Sequence, residues 1–261
     1  LLLGGVMAGA LATPLVHAQR CSAESGAQVP VVVELYTSEG CNSCPPADRW
    51  LSTLKDRPGV LAAAFHVDYW DRLGWKDRFA SARYTERQAQ RQAATGSRYS
   101  YTPQVVVNGR DWRRWPELPA PQSAPGRPKT TAPPRGDASE ASKGVTEHNA
   151  PVRLAMQRIG EQVELQVQPL HETRQRFTVW WAALEDGHVS DVKAGENQGV
   201  RLQHDHVVRL YGSSAPFSGP WTQRIQVPAR GEGGRVPRVL AVVTDAAGGA
   251  VVQALQLRCA G

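Results

Sequence analysis

The chain has 261 residues, room for two domains of ordinary size, and its 41% hydrophobic and 21% charged content excludes a disordered chain. Its formal charge of +6 is scattered, apart from a small knot at Arg110, Arg113 and Arg114. No basic face interleaved with stacking aromatics emerges, which argues against a nucleic-acid partner.

The first eighteen residues, LLLGGVMAGALATPLVHA, carry no formal charge and are mostly apolar or small. Interrupted by Gly and Pro14, the run is too short for a comfortable transmembrane span of roughly 20 residues. Val16-His17-Ala18 ends it close to the small-x-small pattern of signal cleavage. Residues 1–18 are therefore expected to be a signal peptide, leaving a protein exported to a periplasm or secreted, with no stable membrane anchor.

Residues 19–115 alternate strand and helix. Val29 to Tyr36 is a short β-branched apolar run, as in a strand buried on both faces. Beyond Cys41-Asn42-Ser43-Cys44, the residues Ala47, Trp50, Leu51 and Leu54 share one helical face, with Asp48, Arg49, Ser52 and Lys55 opposite. Pro45 and Pro46 suit a first helical turn. Val60 to Val67 predicts a second buried strand and Phe79 to Ala94 a surface helix. A strand after Thr102-Pro103 runs into an Asn108-Gly109 hairpin turn.

Residues 116–150, with the proline at 151, hold eight prolines among small and polar residues and read as a semi-extended linker. In residues 151–261 the period changes. Val163 to Gln168 alternates strictly, and Phe177 to Leu184, His204 to Tyr211, Trp221 to Val227, Arg238 to Thr244 and Val251 to Leu257 are further strands between Gly, Asp and Pro turns. Short strands without a convincing helix predict an all-β sandwich.

Four cysteines are present: Cys21, Cys41, Cys44 and Cys259. In an exported protein disulfides persist. The close pair suggests Cys41 with Cys44, leaving Cys21 and Cys259 for a structural disulfide between the two ends, although spacing alone does not determine pairing. A C-x-x-C between a buried strand and a helix puts Cys41 at the helix start, where the dipole and unpaired N–H groups favour a thiolate. Cys44, deeper, would resolve a mixed disulfide.

With its strand–Cys41-Asn42-Ser43-Cys44–helix order and Thr102-Pro103 entering a later strand, residues 19–115 resemble the thioredoxin-like superfamily. More closely, VVVELYTSEGCNSCPPAD, AFHVDYWDRLGWKD, YTPQVVVNGR and, further on, GENQGVRLQHDHVVR resemble a family of exported thioredoxin-like proteins classed as a domain of unknown function. The resemblance implies an α/β thioredoxin-like N-terminal domain, Pro103 as a cis-proline opposite the dithiol, and Thr102 as the residue that docks a substrate chain. It also implies that Glu34 could be a buried acid serving the resolving cysteine, against the plainer reading of an edge or solvent-facing acid. The central pair Asn42-Ser43 departs from the Gly-Pro of ordinary thioredoxins, and no helix follows the hairpin.

His66 and Asp68 end the second strand, where α/β sheets gather ligands, so either could tune the thiols or simply cap the strand. One C-x-x-C supplies two ligands of the four a structural zinc needs, so no metal site is assigned. Copper, softer, could take His66 as a third ligand beside the two thiolates. His204 and His206 read as an exposed pair on one strand. Trp70 and Trp75 could line a groove, though core and inter-domain packing is the better explanation. No cofactor motif is present. The function these residues point to is thiol–disulfide exchange with protein thiols or disulfides through Cys41 and Cys44. A copper- or partner-binding redox sensor and a purely structural bridge remain open alternatives.

Overall fold

The computed structural model describes residues 20–95, 99–115, 117, 118 and 150–259. The expected signal peptide and nearly all of the expected linker lie outside them. The elements in chain order are β1 (Arg20–Glu24), β2 (Val31–Thr37), α1 (Pro45–Ser52), β3 (Val60–His66), α2 (Ala82–Thr95), β4 (Gln104–Val107) and β5 (Arg110–Asp111). They continue as β6 (Val152–Ile159), β7 (Gln162–Pro169), β8 (Phe177–Glu185), β9 (His188–Asp191), β10 (Arg201–His204), β11 (Val207–Ser213), β12 (Trp221–Gln226), β13 (Arg238–Asp245) and β14 (Val251–Leu257).

Eight strands form one sheet in the order β14-β13-β8-β11-β3-β2-β4-β5. The pairs β2–β3 and β3–β11 are parallel, and the rest are antiparallel. A second, four-stranded sheet runs β1-β6-β7-β12, and β9 with β10 makes a two-stranded ribbon apart from both. β6 and β7 alternate buried and exposed side chains, the pattern of a sheet covered on one face. β2 is buried at every position because both of its faces are covered.

Three apolar clusters fill the spaces between layers. Val31, Val33 and Leu35 of β2 pack with Ala47, Leu51 and Leu54 under α1. Val32 and Tyr36, pointing the other way, pack with Phe65, Tyr84, Trp180, Leu184 and Val208 on the side of α2. Leu154, Met156, Leu165 and Val167 of the smaller sheet meet Val179, Ala241 and Val243 of the larger one.

This architecture corrects the expected fold class. No α/β thioredoxin-like domain stands beside a separate sandwich; the protein is β-rich, with fourteen strands and two α-helices among the described residues. The decisive contact is at β3. There Val207 of β11 pairs with Ala64, and the Ala64 N–H donates to His206 O at 2.8 Å. A strand buried on both faces cannot leave its backbone groups unpaired, and the later half of the chain supplies the partner. β1 likewise joins β6, across the proline-rich segment. Periodicity reports which residues form strands but carries no information on which edges meet. The strand expected over His204 to Tyr211 is broken: β10 ends at His204, and His206, with φ 59°, turns the chain into β11.

Candidate functional site

β2 delivers the C-x-x-C segment to the end of the large sheet. Ser38, Glu39 and Gly40 follow it in a tight loop, in which the Cys41 N–H donates to Ser38 O and the Cys44 N–H to Cys41 O, each at 3.2 Å. Gly40 lies so close to Trp70 that a Cβ there would come within 3.0 Å of the Trp70 Cβ. Cys41 and Cys44 form a disulfide with Cα atoms 5.5 Å apart, and Cys21 and Cys259 form the other, 238 residues apart in sequence.

The helix begins one step later than the spacing implied. Cys44, rather than Cys41, is the N-cap, and Pro45 and Pro46 occupy the first two helical positions without an N–H to offer. The next two, Ala47 and Asp48, donate to Cys44 O at 2.9 and 3.1 Å. The helix therefore contributes its dipole to a Cys41 anion but no free N–H.

Hydroxyl groups take that role. The Thr102–Pro103 bond is cis, and the Thr102 hydroxyl donates to Cys41 Sγ at 3.2 Å. The same hydroxyl oxygen accepts from the Trp70 indole N–H at 2.8 Å, which strengthens it as a donor. Ser43 Oγ stands 3.3 Å from the same sulfur. Trp70, expected from sequence to line a groove or to pack, holds the Thr102 hydroxyl instead.

Beneath the loop lies a buried polar cluster. His66 Nδ1 is 2.7 Å from Asp77 Oδ2, which also accepts the Glu39 N–H at 2.9 Å. The His66 and His204 rings meet edge to face with centroids 5.0 Å apart. His204 Nε2 stands 3.3 Å from Glu39 Oε1 without hydrogen-bond alignment, and Trp75 Nε1 donates to Glu39 Oε2 at 2.8 Å. His66 Nε2, both His204 nitrogens and Glu39 Oε1 are buried without a hydrogen-bond partner. Burial alone would lower the His66 imidazole, but the Asp77 carboxylate outweighs it and raises the group above its ordinary value. Asp48, four residues after Cys44, is buried and accepts from the Thr37 hydroxyl at 3.1 Å. Burial pushes its carboxyl up, against the opposing fields of His204 and His66. The helical-face reading had set Asp48 toward solvent; β10 packing against α1 turns that side inward.

The other proposed residues are placed elsewhere or differently. Glu34 is fully buried, but it faces α2, where Arg87 and Arg91 hold its two oxygens at 2.6 and 2.8 Å and Tyr36 adds a hydrogen bond. Burial works to raise its carboxyl, and the two guanidinium groups carry it below the usual value. Its neighbours on β2, Val33 and Leu35, face α1 and the dithiol side instead. Asp68 accepts the Thr85 hydroxyl at 2.6 Å and ties the end of β3 to α2. The Cys21–Cys259 bridge packs against the core between the two sheets. His204 and His206 are both buried rather than exposed, and they serve different neighbourhoods. His206 Nδ1 faces Arg238, and burial followed by that guanidinium pushes its pKa down to about 4. Among the described residues no group of three or more His, Cys, Asp or Glu is arranged to hold a metal ion.

Two further residues come from the later half of the chain. The carboxamide of Asn197 donates to Glu39 O at 2.8 Å and to Cys41 O at 2.9 Å, and the Asn42 N–H donates to Glu196 Oε2 at 3.0 Å. Both lie in GENQG, a stretch the sequence reading had marked by resemblance without assigning it a role. Cys41 and Cys44 are 0% exposed in this arrangement.

Fold and site together define a β-rich protein with a disulfide-bonded C-x-x-C held between a cis-proline segment and a loop from its own second half. The chain belongs to the family described as Protein of unknown function (DUF1223), which matches residues 32–244. No curated protein matches it. Among solved structures it is similar to the X-ray structure of a protein from Agrobacterium tumefaciens, at 24% identity and a TM-score of 0.57 over 88% of this chain and 94% of that one. It is also similar to HBP35 of Porphyromonas gingivalis, at 12% identity and a TM-score of 0.54 over 89% of this chain and 76% of that one. At these identities the likeness concerns the fold alone.

Proposed function

We propose that the protein exchanges thiols and disulfides with a protein partner through Cys41 and Cys44. The observation that carries this reading is the hydrogen-bond chain from Trp70 through Thr102 to Cys41 Sγ, beside the cis-proline. A sulfur that accepts from a polarised hydroxyl, with a second hydroxyl near and a helix dipole behind it, is stabilised as a thiolate.

In the oxidised protein a partner thiolate attacks Cys41 Sγ. The Cys41–Cys44 bond breaks, its electron pair leaves on Cys44 Sγ, and a mixed disulfide joins the partner to Cys41. A second partner thiolate then attacks the partner sulfur of that mixed disulfide, releasing Cys41 as a thiolate. Two electrons pass from the partner dithiol to the pair; the reverse sequence reduces a partner disulfide. In this reading Asp48, buried one turn beyond Cys44 with its carboxyl raised, exchanges the Cys44 proton. Thr102 and Pro103 orient the partner chain. Export to an oxidising compartment accords with all four cysteines being bonded in pairs.

The complete burial of both sulfurs favours a second reading, in which the pair is a permanent bridge. The two part in one experiment. Reduced protein should exchange with a disulfide in an unfolded protein, and Cys41→Ser should abolish this. A reduced wild type that shows no exchange leaves only the bridge.

A further inference from the structure

Exchange needs a thiolate in line with the bond it breaks, and neither sulfur offers a path in this arrangement. Part of what surrounds Cys41 comes from segments beside the large sheet: Thr102 precedes β4, and Trp70 follows β3. The loop between β9 and β10 touches the chain around Cys41 at the Glu39 and Cys41 carbonyls and the Asn42 N–H. That ribbon pairs with neither sheet, and a two-stranded ribbon has little stability of its own. Its base is anchored by buried His188 and His204, whereas Glu196, Gln198, Gly199 and Val200 at its tip are exposed. The tip is closed on itself by Gly199 N–H to Val192 O and by Val200 N–H to Asn197 O. Gly195 and Gly199, with φ of 75° and 84°, bound the segment that touches the C-x-x-C; no atom crowds Gly199, while Gly195 rests against Trp75. These are the properties of a segment that swings as a unit on small hinges.

Resting on the exchange reading for its purpose, we infer that Gly195–Gly199 is a gate over the Cys41–Cys44 pair, latched by Asn197 and Glu196 and displaced by the partner chain. The latch defines what displaces it. When the loop leaves, the carbonyls of Glu39 and Cys41 lose two donors and the Asn42 N–H loses an acceptor. An extended polypeptide brings N–H and C=O groups in alternation and satisfies both kinds, whereas a small thiol or disulfide does not. The substrate class is therefore a disulfide or dithiol within an extended protein segment.

The test uses the oxidised full-length protein and dithiothreitol in excess, a probe that needs no partner. Samples are alkylated at intervals, and mass spectrometry of the digests shows which bond has opened. Asn197→Ala opens Cys41–Cys44 roughly tenfold faster than wild type, and the exposed Glu196→Ala roughly threefold faster. Asn197→Asp, which keeps the shape but sets oxygen against two carbonyls, is at least as fast as Asn197→Ala. The Cys21–Cys259 bond opens at the same rate in all four proteins. Equal Cys41–Cys44 rates in wild type and variants overturn the gate. So does parallel acceleration of both bonds, since that is loosening of the whole fold. Should Asn197→Ala fail to fold, Glu196→Ala carries the test. If the rates follow the gate while reduced wild type and reduced Asn197→Ala are both inert toward an unfolded protein's disulfide, the gate stands and the exchange reading alone falls.

Discussion

Glu34 and Glu39 are five residues apart, and both are buried, yet they sit in clusters of opposite character. Glu34, on the α2 side, has both oxygens held by Arg87 and Arg91, and Arg87 lies over the Phe65, Trp180 and Tyr211 rings with only its Nε unpartnered. Around Glu39, beneath the C-x-x-C, two histidines and two further carboxylates share fewer partners, and four polar atoms have no hydrogen bond. A cluster whose charges are matched has one low-energy protonation state and serves to hold α2 on the sheet. One whose polar atoms are incompletely hydrogen-bonded has more than one arrangement of protons open to it. The difference separates a charge-matched ion cluster from an incompletely paired one beneath the C-x-x-C, although both acids lie within seven residues of Cys41 in sequence.

The comparison is broken or sharpened by substituting each side. Glu34→Gln leaves two buried guanidinium groups facing a neutral amide and should cost about 4 kcal/mol in urea unfolding. It should leave the titration of the Cys41 thiol where it was; a moved thiol would join Glu34 to the site and erase the distinction. Asp77→Asn should cost about 3 kcal/mol at pH 6, with a pH dependence set by His66. Since the folded imidazole titrates above its unfolded value of about 6.5, its contribution is complete below that pH and lost as pH rises through the raised pKa. Asp77, lowered in the fold chiefly by His66 against its own burial, contributes above its unfolded value and loses this as pH falls. The penalty of Asp77→Asn should therefore be largest between about pH 4 and 6.5 and shrink by pH 9, which urea midpoints at pH 6 and pH 9 will show.

Much of the local structure was legible in the sequence. The apolar run of β2, the alternation of β7 and the Asn108-Gly109 turn, where Asn108 and Gly109 have φ of 49° and 83°, are written in residues close in the chain. What was not legible depends on pairing at a distance. β11 enters beside β3 because a doubly buried strand needed a second partner, and no local pattern names that partner. The same blindness hid the site's distant members. Asp48 read as solvent-facing because β10, which covers it, lies about 150 residues away. Asn197 and Glu196 stood in a stretch noticed only by resemblance. The helix start was misplaced for a local reason: two prolines after Cys44 remove the N–H groups that the argument for Cys41 had counted on.

With those N–H groups gone, the account rests on the hydroxyls around Cys41. The most direct measurement is the pH titration of the thiolate absorbance of reduced protein, in wild type, Thr102→Val and Thr102→Ser. Cys41 is predicted to titrate below the ordinary cysteine value of about 8.5, to rise by about one unit in Thr102→Val, and to return toward wild type in Thr102→Ser. A Cys41 that titrates at the ordinary value in wild type, or that ignores the loss of the Thr102 hydroxyl, would contradict the account.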